Sequence, residues 1–168
     1  MMNIWFGGTM HKGFFYQDID DVRHEALDNA IRLPIASSFD VLAKPLELEN
    51  LTLKNRLAIQ PMEGFDSLYD GAPGYLTRRR YMRFARSGAA IIWFEATAVV
   101  KEGRSNPHQL FLTEDNLSLF KSLVAETKEA FFKEHGFSPV MIIQATHSGR
   151  HSKPKGTPEP IAAYRNPL

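Results

Sequence analysis

Cysteine is absent from this chain of 168 residues. Its absence excludes disulfides, cysteine–zinc sites and thiol nucleophiles, and an iron–sulfur cluster can lie only in sequence outside this segment. An excess of one charge sign is also missing, because 20 Lys and Arg residues nearly balance 19 Asp and Glu residues. The composition therefore carries no polybasic signal for nucleic acid or for an anionic membrane surface.

Long apolar runs are absent as well. The longest run, from Ala89 to Phe94, is far shorter than the roughly 20 residues that a membrane span requires. Residues 1–6 lack the basic region and the long apolar region of a secretory signal. We therefore expect no membrane span, no nucleic-acid partner and, by default, a cytoplasmic protein.

Apolar patterns typical of strands and of helices alternate along the chain. Strands are predicted at residues 57–60, 90–94 and 140–143, helices at residues 75–87 and 114–135, and a hairpin at residues 46–53. Thr113 is the predicted N-cap of the second helix. Because alternating strands and helices are typical of parallel sheets, the pattern favours an α/β architecture.

An amphipathic helix is predicted before this alternation begins. Asp18 is its predicted N-cap, and Pro34 is expected to end it. Five apolar residues fall on one face of this helix: Ile19, Val22, Ala26, Ala30 and Ile31. We expect it to pack against the main domain, with a partner-binding helix as the alternative.

Small and polar residues follow the third predicted strand, in the stretch Gln144-Ala-Thr-His147-Ser-Gly-Arg150, which is expected to form a tight turn. Chemistry in parallel α/β proteins usually lies at the carboxyl ends of the strands. The segments Asn50–Met62 and Gly88–Thr97 precede this stretch. Taken in order, the three segments resemble motifs of the Old Yellow Enzyme family, the FMN-dependent NAD(P)H:flavin oxidoreductases.

The resemblance implies a (β/α)₈ TIM barrel, a fold that needs roughly 250 residues. With 168 residues, the chain is expected to be the N-terminal portion of such a barrel: the hairpin, the first three strands and the two helices between them. Residues 1–38 would form an N-terminal extension that carries the amphipathic helix. Residues 39–168 would form an incomplete FMN-binding domain, inactive by itself.

Five residues match FMN contacts of the family, and they lie where three predicted strands end: Pro61, Met62, Glu63, Ala96 and Gln144. A flat ring system needs a backbone to lie against, a small residue beneath its face and amide hydrogen bonds at its edge. Met62 and Ala96 suit the first two needs. Gln144 suits the third, because its carboxamide offers a donor and an acceptor.

Glu63 and three further residues are expected at or near the mouth of the barrel, where the carboxyl ends of the strands converge. Glu63 replaces the Thr or Cys common in the family, so it either faces the flavin and tunes its potential or turns away to pair with Arg104 or Arg150. Phe65 replaces a Tyr that lines the substrate pocket in some relatives. His147 and Arg150 are expected in the mouth, where Arg150 would hold the loop or an anionic group.

Two features of charge have structural interpretations. Glu95 lies in an apolar strand, and a buried carboxylate needs a partner, for which an Arg on a neighbouring helix is expected. The three consecutive arginines Arg78, Arg79 and Arg80 resemble a phosphate-binding patch. Adjacent residues on a helix point in different directions, however, so separate structural roles are expected.

The resemblance implies an enzyme that moves hydride from NADH or NADPH through FMN to a small, electron-poor acceptor. The family's catalytic His pair and Tyr would lie beyond this chain, so no catalytic residue is assigned. The expected partner is the remainder of the barrel or another copy of the chain. The alternatives are a truncated, non-catalytic fragment and a metal-dependent barrel hydrolase using His147 and His151. No carboxylate lies in register with that His pair, so no metal site is predicted.

Overall fold

A computed structural model describes residues 5–6, 9–10 and 13–163, and the chain divides into two compact units, Met1–Phe39 and Asp40–Leu168. In the first unit, strands β1 (Trp5–Phe6) and β2 (Thr9–Met10) pair antiparallel and helix α1 spans Ile19–Asp28. Asp18 is the N-cap, as predicted, because its carboxylate accepts hydrogen bonds from the backbone N–H groups of Asp20 (2.9 Å) and Asp21 (3.1 Å).

Helix α1 ends six residues before Pro34, so the prediction that the proline ends it is wrong. The side chain of Asn29 donates to the Glu25 carbonyl at 2.7 Å, which occupies a helix-end acceptor. Ala30 has a left-handed φ of 54°, and the chain reverses so that the Ile31 N–H bonds the Ala26 carbonyl. Local capping therefore stops the helix although its apolar periodicity continues.

The second unit begins with the short helix α2 (Asp40–Ala43) and the predicted hairpin. Strands β3 (Leu46–Leu48) and β4 (Leu51–Leu53) pair antiparallel, with Leu48 opposite Leu51 across the Glu49-Asn50 turn. Leu53 is buried, which is consistent with one apolar face on this small sheet.

A parallel sheet of three strands forms the centre of the second unit, in the order β5 (Ala58–Ile59), β6 (Ile91–Ala98) and β7 (Val140–Thr146). Helix α3 (Tyr75–Ala85) connects β5 to β6, and helix α4 (Leu117–His135) connects β6 to β7. The predicted strand–helix alternation is therefore confirmed. No helix within the described ranges has the length and apolar character needed to cross a bilayer.

The hydrophobic core lies between one face of the sheet and the two helices. Its buried members come from α3, β6 and α4: Tyr81, Ala85, Ile92, Phe94, Leu123 and Phe131. The Tyr81 and Phe94 rings lie 4.3 Å apart between centroids, so helix α3 is fixed against β6 by aromatic packing. Leu123 of helix α4 is fully buried in this core.

Helix α4 begins at Leu117 and not directly after Thr113, so the predicted N-cap is wrong. Thr113 and Asn116 bond each other reciprocally, since each backbone N–H donates to the other's side-chain oxygen. This closed pair holds residues 113–116 in a turn before the helix. The helix ends at His135, as predicted, and Gly136 is its C-cap, where a φ of 72° favours glycine.

Strand β6 contains a β-bulge at Glu95. Phe94 pairs with Ile143 and Ala96 pairs with Gln144, so Glu95 is the extra residue. Strand β7 continues through Gln144 to Thr146, and the prediction that Gln144 begins a turn is therefore wrong. The register with β6 extends the ladder beyond the apolar residues, because backbone pairing does not require apolar side chains.

Candidate functional site

Three loops meet at the carboxyl end of the parallel sheet. The loop after β5 bonds the loop after β6 through Ser67 and His108: the Ser67 N–H donates to the His108 carbonyl at 3.1 Å, and His108 Nδ1 lies 2.8 Å from the Ser67 carbonyl oxygen. The loop after β6 also bonds the loop after β7. There the Ser148 and Lys153 N–H groups each donate to a carbonyl of the Gly103-Arg104 pair at 2.8 Å.

Arg104 is buried at the centre of these loops, with only 2% of its surface exposed. Its guanidinium donates to the carbonyl oxygens of Tyr69 (2.8 Å), Gln109 (2.8 Å) and Pro107. Burial lowers the pKa of Arg104, and the charge of nearby Asp70 opposes that shift. The arginine therefore connects the loop after β5 to the loop after β6 through neutral acceptors.

Glu63, a residue of the loop after β5, is bonded to the loop after β6. Its Oε2 accepts from Ser105 Oγ at 2.8 Å and from Asn106 Nδ2 at 3.4 Å. A Glu63 side chain that turns away from the flavin was expected to pair with Arg104 or Arg150, and that prediction is wrong. The donors of Arg104 are directed at backbone carbonyls, while Arg150 Nε donates to His151 Nε2 at 3.1 Å.

Ala96 and Gln144 are register partners on adjacent strands, so their side chains share one face of the sheet. Met141 packs against the core beneath the helices, and side chains alternate along β7, so Gln144 points to the opposite face. Ala96 is 9% exposed. Within the described residues, the half-buried carboxamide of Gln144 has no hydrogen-bond partner, and its donor and acceptor are available to a ligand.

The loop after β5 presents two large apolar side chains to solvent, Met62 at 72% and Phe65 at 60% exposure, while Pro61 is half-buried. Phe65 has a φ of 49°, a left-handed conformation that is uncommon for an aromatic residue. These residues follow the carboxyl end of β5, and the pair Ala96 and Gln144 lies toward the carboxyl ends of β6 and β7 in the same parallel sheet. That chemistry fits a flat heteroaromatic ring such as a flavin.

His147 and Arg150 are both exposed in the loop after β7. The His147 Nδ1 atom accepts from the Gly149 N–H at 2.9 Å, and its ring packs against Gly103, where a Cβ would come within 2.9 Å of the ring. His151 receives the bond from Arg150. Across the part of the chain that the structure describes, no group of three or more His, Asp or Glu residues could hold a metal.

The partner expected for Glu95 is Arg80 of helix α3, whose Nη2 lies 2.6 Å from Glu95 Oε1. Asp66 and Gly64 also belong to this network and were missed. Arg80 binds both carboxylate oxygens of Asp66 (2.8 and 3.1 Å), and the Gly64 N–H donates to Glu95 Oε2 at 2.8 Å. The one signal for Asp66 in the sequence is an acidic residue in a loop close to the helix that carries Arg80.

The two carboxyls of this network have pKa values shifted in opposite directions. Burial raises the pKa of Glu95, and the Gly64 N–H and the Arg80 charge only partly offset it. Burial also acts to raise the pKa of Asp66, but hydrogen bonds from Arg80 and Thr77 together with the Arg80 charge outweigh it and lower the pKa.

The three consecutive arginines have separate roles, as predicted. Arg78 forms an ion pair with Glu126 of helix α4, and Arg79 lies over the Tyr75 ring at 6.0 Å from its centroid. Arg80 alone contacts the loop after β5. They do not form a common anion-binding patch.

No protein-family model matches this chain. The NADPH dehydrogenase of Geobacillus thermodenitrificans is 32% identical to it over 118 residues, which are 69% of this chain and 33% of that protein. A NADPH dehydrogenase of Bacillus licheniformis is 32% identical over 117 residues, again 69% of this chain and 33% of the relative. The chain thus spans about a third of the length of the curated relatives it matches.

Solved structures give the same result for the fold. Morphinone reductase in complex with tetrahydroNAD matches with a TM-score of 0.53 and 28% identity over 66% of this chain and 28% of that one. Old Yellow Enzyme from Pichia sp. AKU4542 matches with a TM-score of 0.55 and 21% identity over 67% and 28% of the two chains, which supports the fold alone. The resemblance to Old Yellow Enzymes is therefore confirmed over about two thirds of the chain.

Proposed function

We propose that this chain, which over about two thirds of its length is similar to Old Yellow Enzymes, supplies part of an FMN-dependent NAD(P)H oxidoreductase. The observation that carries the proposal is the pairing of Ala96 with Gln144 at the carboxyl end of the sheet. It sets a small side chain beside a free, half-buried carboxamide on one face.

The second unit is proposed to be an incomplete (β/α)₈ barrel domain, and residues 1–38 an extension outside it. The parallel order β5-β6-β7, the helices on one face and the hairpin before β5 support this assignment. The remaining strands, or a second copy of the chain, are the proposed partner of this domain. Cytoplasmic location remains a prediction from composition.

FMN, when bound, would supply the hydride chemistry between a nicotinamide and a small, electron-poor acceptor. Met62, the backbone of the Pro61-Met62-Glu63 step, and Ala96 would hold the ring. Gln144 would orient it by offering a donor and an acceptor to one edge. Exposed Phe65 would line the acceptor pocket without donating a hydrogen bond, and His147 and Arg150 would border its mouth.

Glu63 is proposed to act on the flavin through its charge. Its Oε2 accepts two hydrogen bonds from the loop after β6, one from Ser105 Oγ and one from Asn106 Nδ2. A fixed negative charge near the ring would disfavour the anionic reduced flavin and lower the midpoint potential. Ser105 and Asn106 would then hold that charge in place.

The test is to purify the complete protein that carries this chain and to identify the flavin released on denaturation. We expect a yellow protein that releases FMN and oxidises NADH or NADPH with an electron-poor alkene as acceptor. Release of FAD, or a colourless protein that FMN cannot reconstitute, would contradict the proposal. A complete reading frame limited to 168 residues that does not bind FMN would favour the non-catalytic fragment.

A further inference from the structure

We propose that Glu95 and Arg80 are positioning residues for the cofactor site: together they fix the turn at residues 62–66 and the facing of Ala96 toward the ligand. The inference rests on the proposed FMN function and extends it to two residues outside the predicted contact set. Neither residue would touch the cofactor itself.

The first part of the network is a hydrogen bond between the turn and the strand. The Gly64 N–H donates to Glu95 Oε2 at 2.8 Å, so the backbone between Glu63 and Phe65 is tied to β6. Within this turn, Glu63 is bonded to the loop after β6, whereas Met62 and Phe65 are exposed.

Arg80 holds the same turn at two further points. Its guanidinium binds both carboxylate oxygens of Asp66 and packs flat against Gly64, where an added Cβ would come within 2.3 Å of Arg80 Nη2. Asp66 also accepts a bond from Thr77 Oγ1 at 2.8 Å, which fixes it to the start of helix α3. The positive φ of Phe65 lies between these anchor points, and a strained backbone persists only where its surroundings fix it.

The β-bulge at Glu95 also determines which face of the sheet the side chain of Ala96 lies on. Phe94 points into the core beneath the helices, and regular alternation would turn Glu95 to the opposite face. The extra residue lets Glu95 reach Arg80 and Tyr81 on the helix side, so that Ala96 faces the side of Gln144. One side chain therefore couples the turn after β5 to the Ala96–Gln144 pair.

A carboxylate is needed at Glu95 because two donors approach it from different sides. Oε2 accepts from the Gly64 N–H while Oε1 accepts from Arg80 Nη2. Glutamine would place an NH₂ group against one of these donors and would break one of the two bonds. The substitution changes the shape of the side chain very little.

The experiment compares three variants of the complete protein: Glu95→Gln, Gly64→Ala and the control Arg78→Met. Gly64→Ala keeps every charge but pushes the turn away from the Arg80 guanidinium, and its backbone φ is not left-handed. Arg78→Met breaks an ion pair of the same helix with Glu126, away from the turn. The readouts are the FMN dissociation constant of the apoprotein, the visible absorption spectrum of the bound flavin and the thermal unfolding midpoint.

We expect Glu95→Gln and Gly64→Ala each to weaken FMN binding by roughly tenfold or more and to shift the flavin spectrum. Substitution of residues that hold metal ligands in place has effects of this size on metal affinity. The control should lower the unfolding midpoint only. If the first two variants also change only the unfolding midpoint, the network is merely structural and the inference is overturned. If Glu95→Gln fails to fold, Gly64→Ala decides alone. Wild-type protein that does not bind FMN would overturn the proposed function, and with it this inference.

Discussion

Arg80 and Arg104 both hold loops at the carboxyl end of the sheet, and they do so with opposite kinds of partner. Arg80 binds the carboxylates of Asp66 and Glu95, which raise its pKa against the effect of burial. Arg104 donates to backbone carbonyls, and burial lowers its pKa. The charged network carries titratable groups and depends on side chains that substitution can change. The hydrogen bonds of Arg104 depend instead on where the backbone carbonyl groups lie.

The largest expected effect follows from removing the charge at Arg80. Arg80→Met leaves Glu95, whose side chain is 2% exposed, without its counter-ion, and we expect a loss of about 3 kcal/mol in the free energy of unfolding. Urea denaturation of the complete protein measures it. Adding Glu95→Gln should recover part of the loss, because no unpaired buried charge then remains. A double variant as unstable as the single one would contradict this account.

Arg104→Met should cost less, about 2 kcal/mol, because it leaves carbonyl groups and not a charge without partners. The conservative variant Arg104→Lys keeps the charge but not the planar fork, and we expect an intermediate loss in the same denaturation experiment. The partners are backbone groups, so a second side-chain substitution should not rescue Arg104→Met. Equal stability of the Lys variant and the wild type would show that the fork geometry is unimportant.

The pH dependence of stability should distinguish the two regions further. The pKa of Asp66 is lowered in the folded protein, so its contribution is present above its ordinary pKa of 3.8 and is lost as the pH falls through the lower, folded value. The pKa of Glu95 is raised, so its contribution has the opposite sign: it is present below the ordinary pKa of 4.5 and is lost as the pH rises through the folded value.

Asp66→Asn should therefore flatten the fall of the thermal unfolding midpoint below about pH 4. Arg104→Lys offers the comparison, because no carboxylate of the described residues is hydrogen-bonded to Arg104, and its acid profile should run parallel to the wild type. Parallel profiles for Asp66→Asn and wild type would mean that Asp66 does not carry the acid sensitivity.

The smallest expected effect concerns Glu63, which is hydrogen-bonded to Ser105 and Asn106 and to neither arginine. A unit charge about 4 Å away at an effective dielectric near 20 is worth roughly 4 kcal/mol before relaxation, and screening should leave about 1 kcal/mol. Glu63→Gln should raise the midpoint potential of the bound flavin accordingly, as measured by spectroelectrochemistry. A midpoint potential equal to that of the wild-type protein would reduce Glu63 to an anchor for Ser105.

The sequence predicts well the features that follow from local pattern and from unfavourable burial. The hairpin at Glu49-Asn50, the order of strands and helices and the Arg partner of Glu95 were all predictable, since a carboxylate inside an apolar strand requires a counter-charge. Three similar motifs likewise predicted the relatives that the chain matches.

Other features depend on contacts between distant residues and were not predictable. The bulge at Glu95 exists because β6 and β7 pair across it, and the start of α4 is set by the bonded pair Thr113 and Asn116. The partners of Glu63 could not be assigned from charge alone, because they are two neutral donors of the loop after β6, Ser105 and Asn106.

The location of Gln144 has a consequence for protein engineering. Its position is set by the backbone ladder with β6, whereas His147 and Arg150 belong to the loop that follows. Insertions and exchanges in such a loop leave the strand beneath it in place. In the proposed oxidoreductase, grafting the loop after Thr146 from a relative would therefore change the residues that border the acceptor pocket while the carboxamide of Gln144 stays where it is.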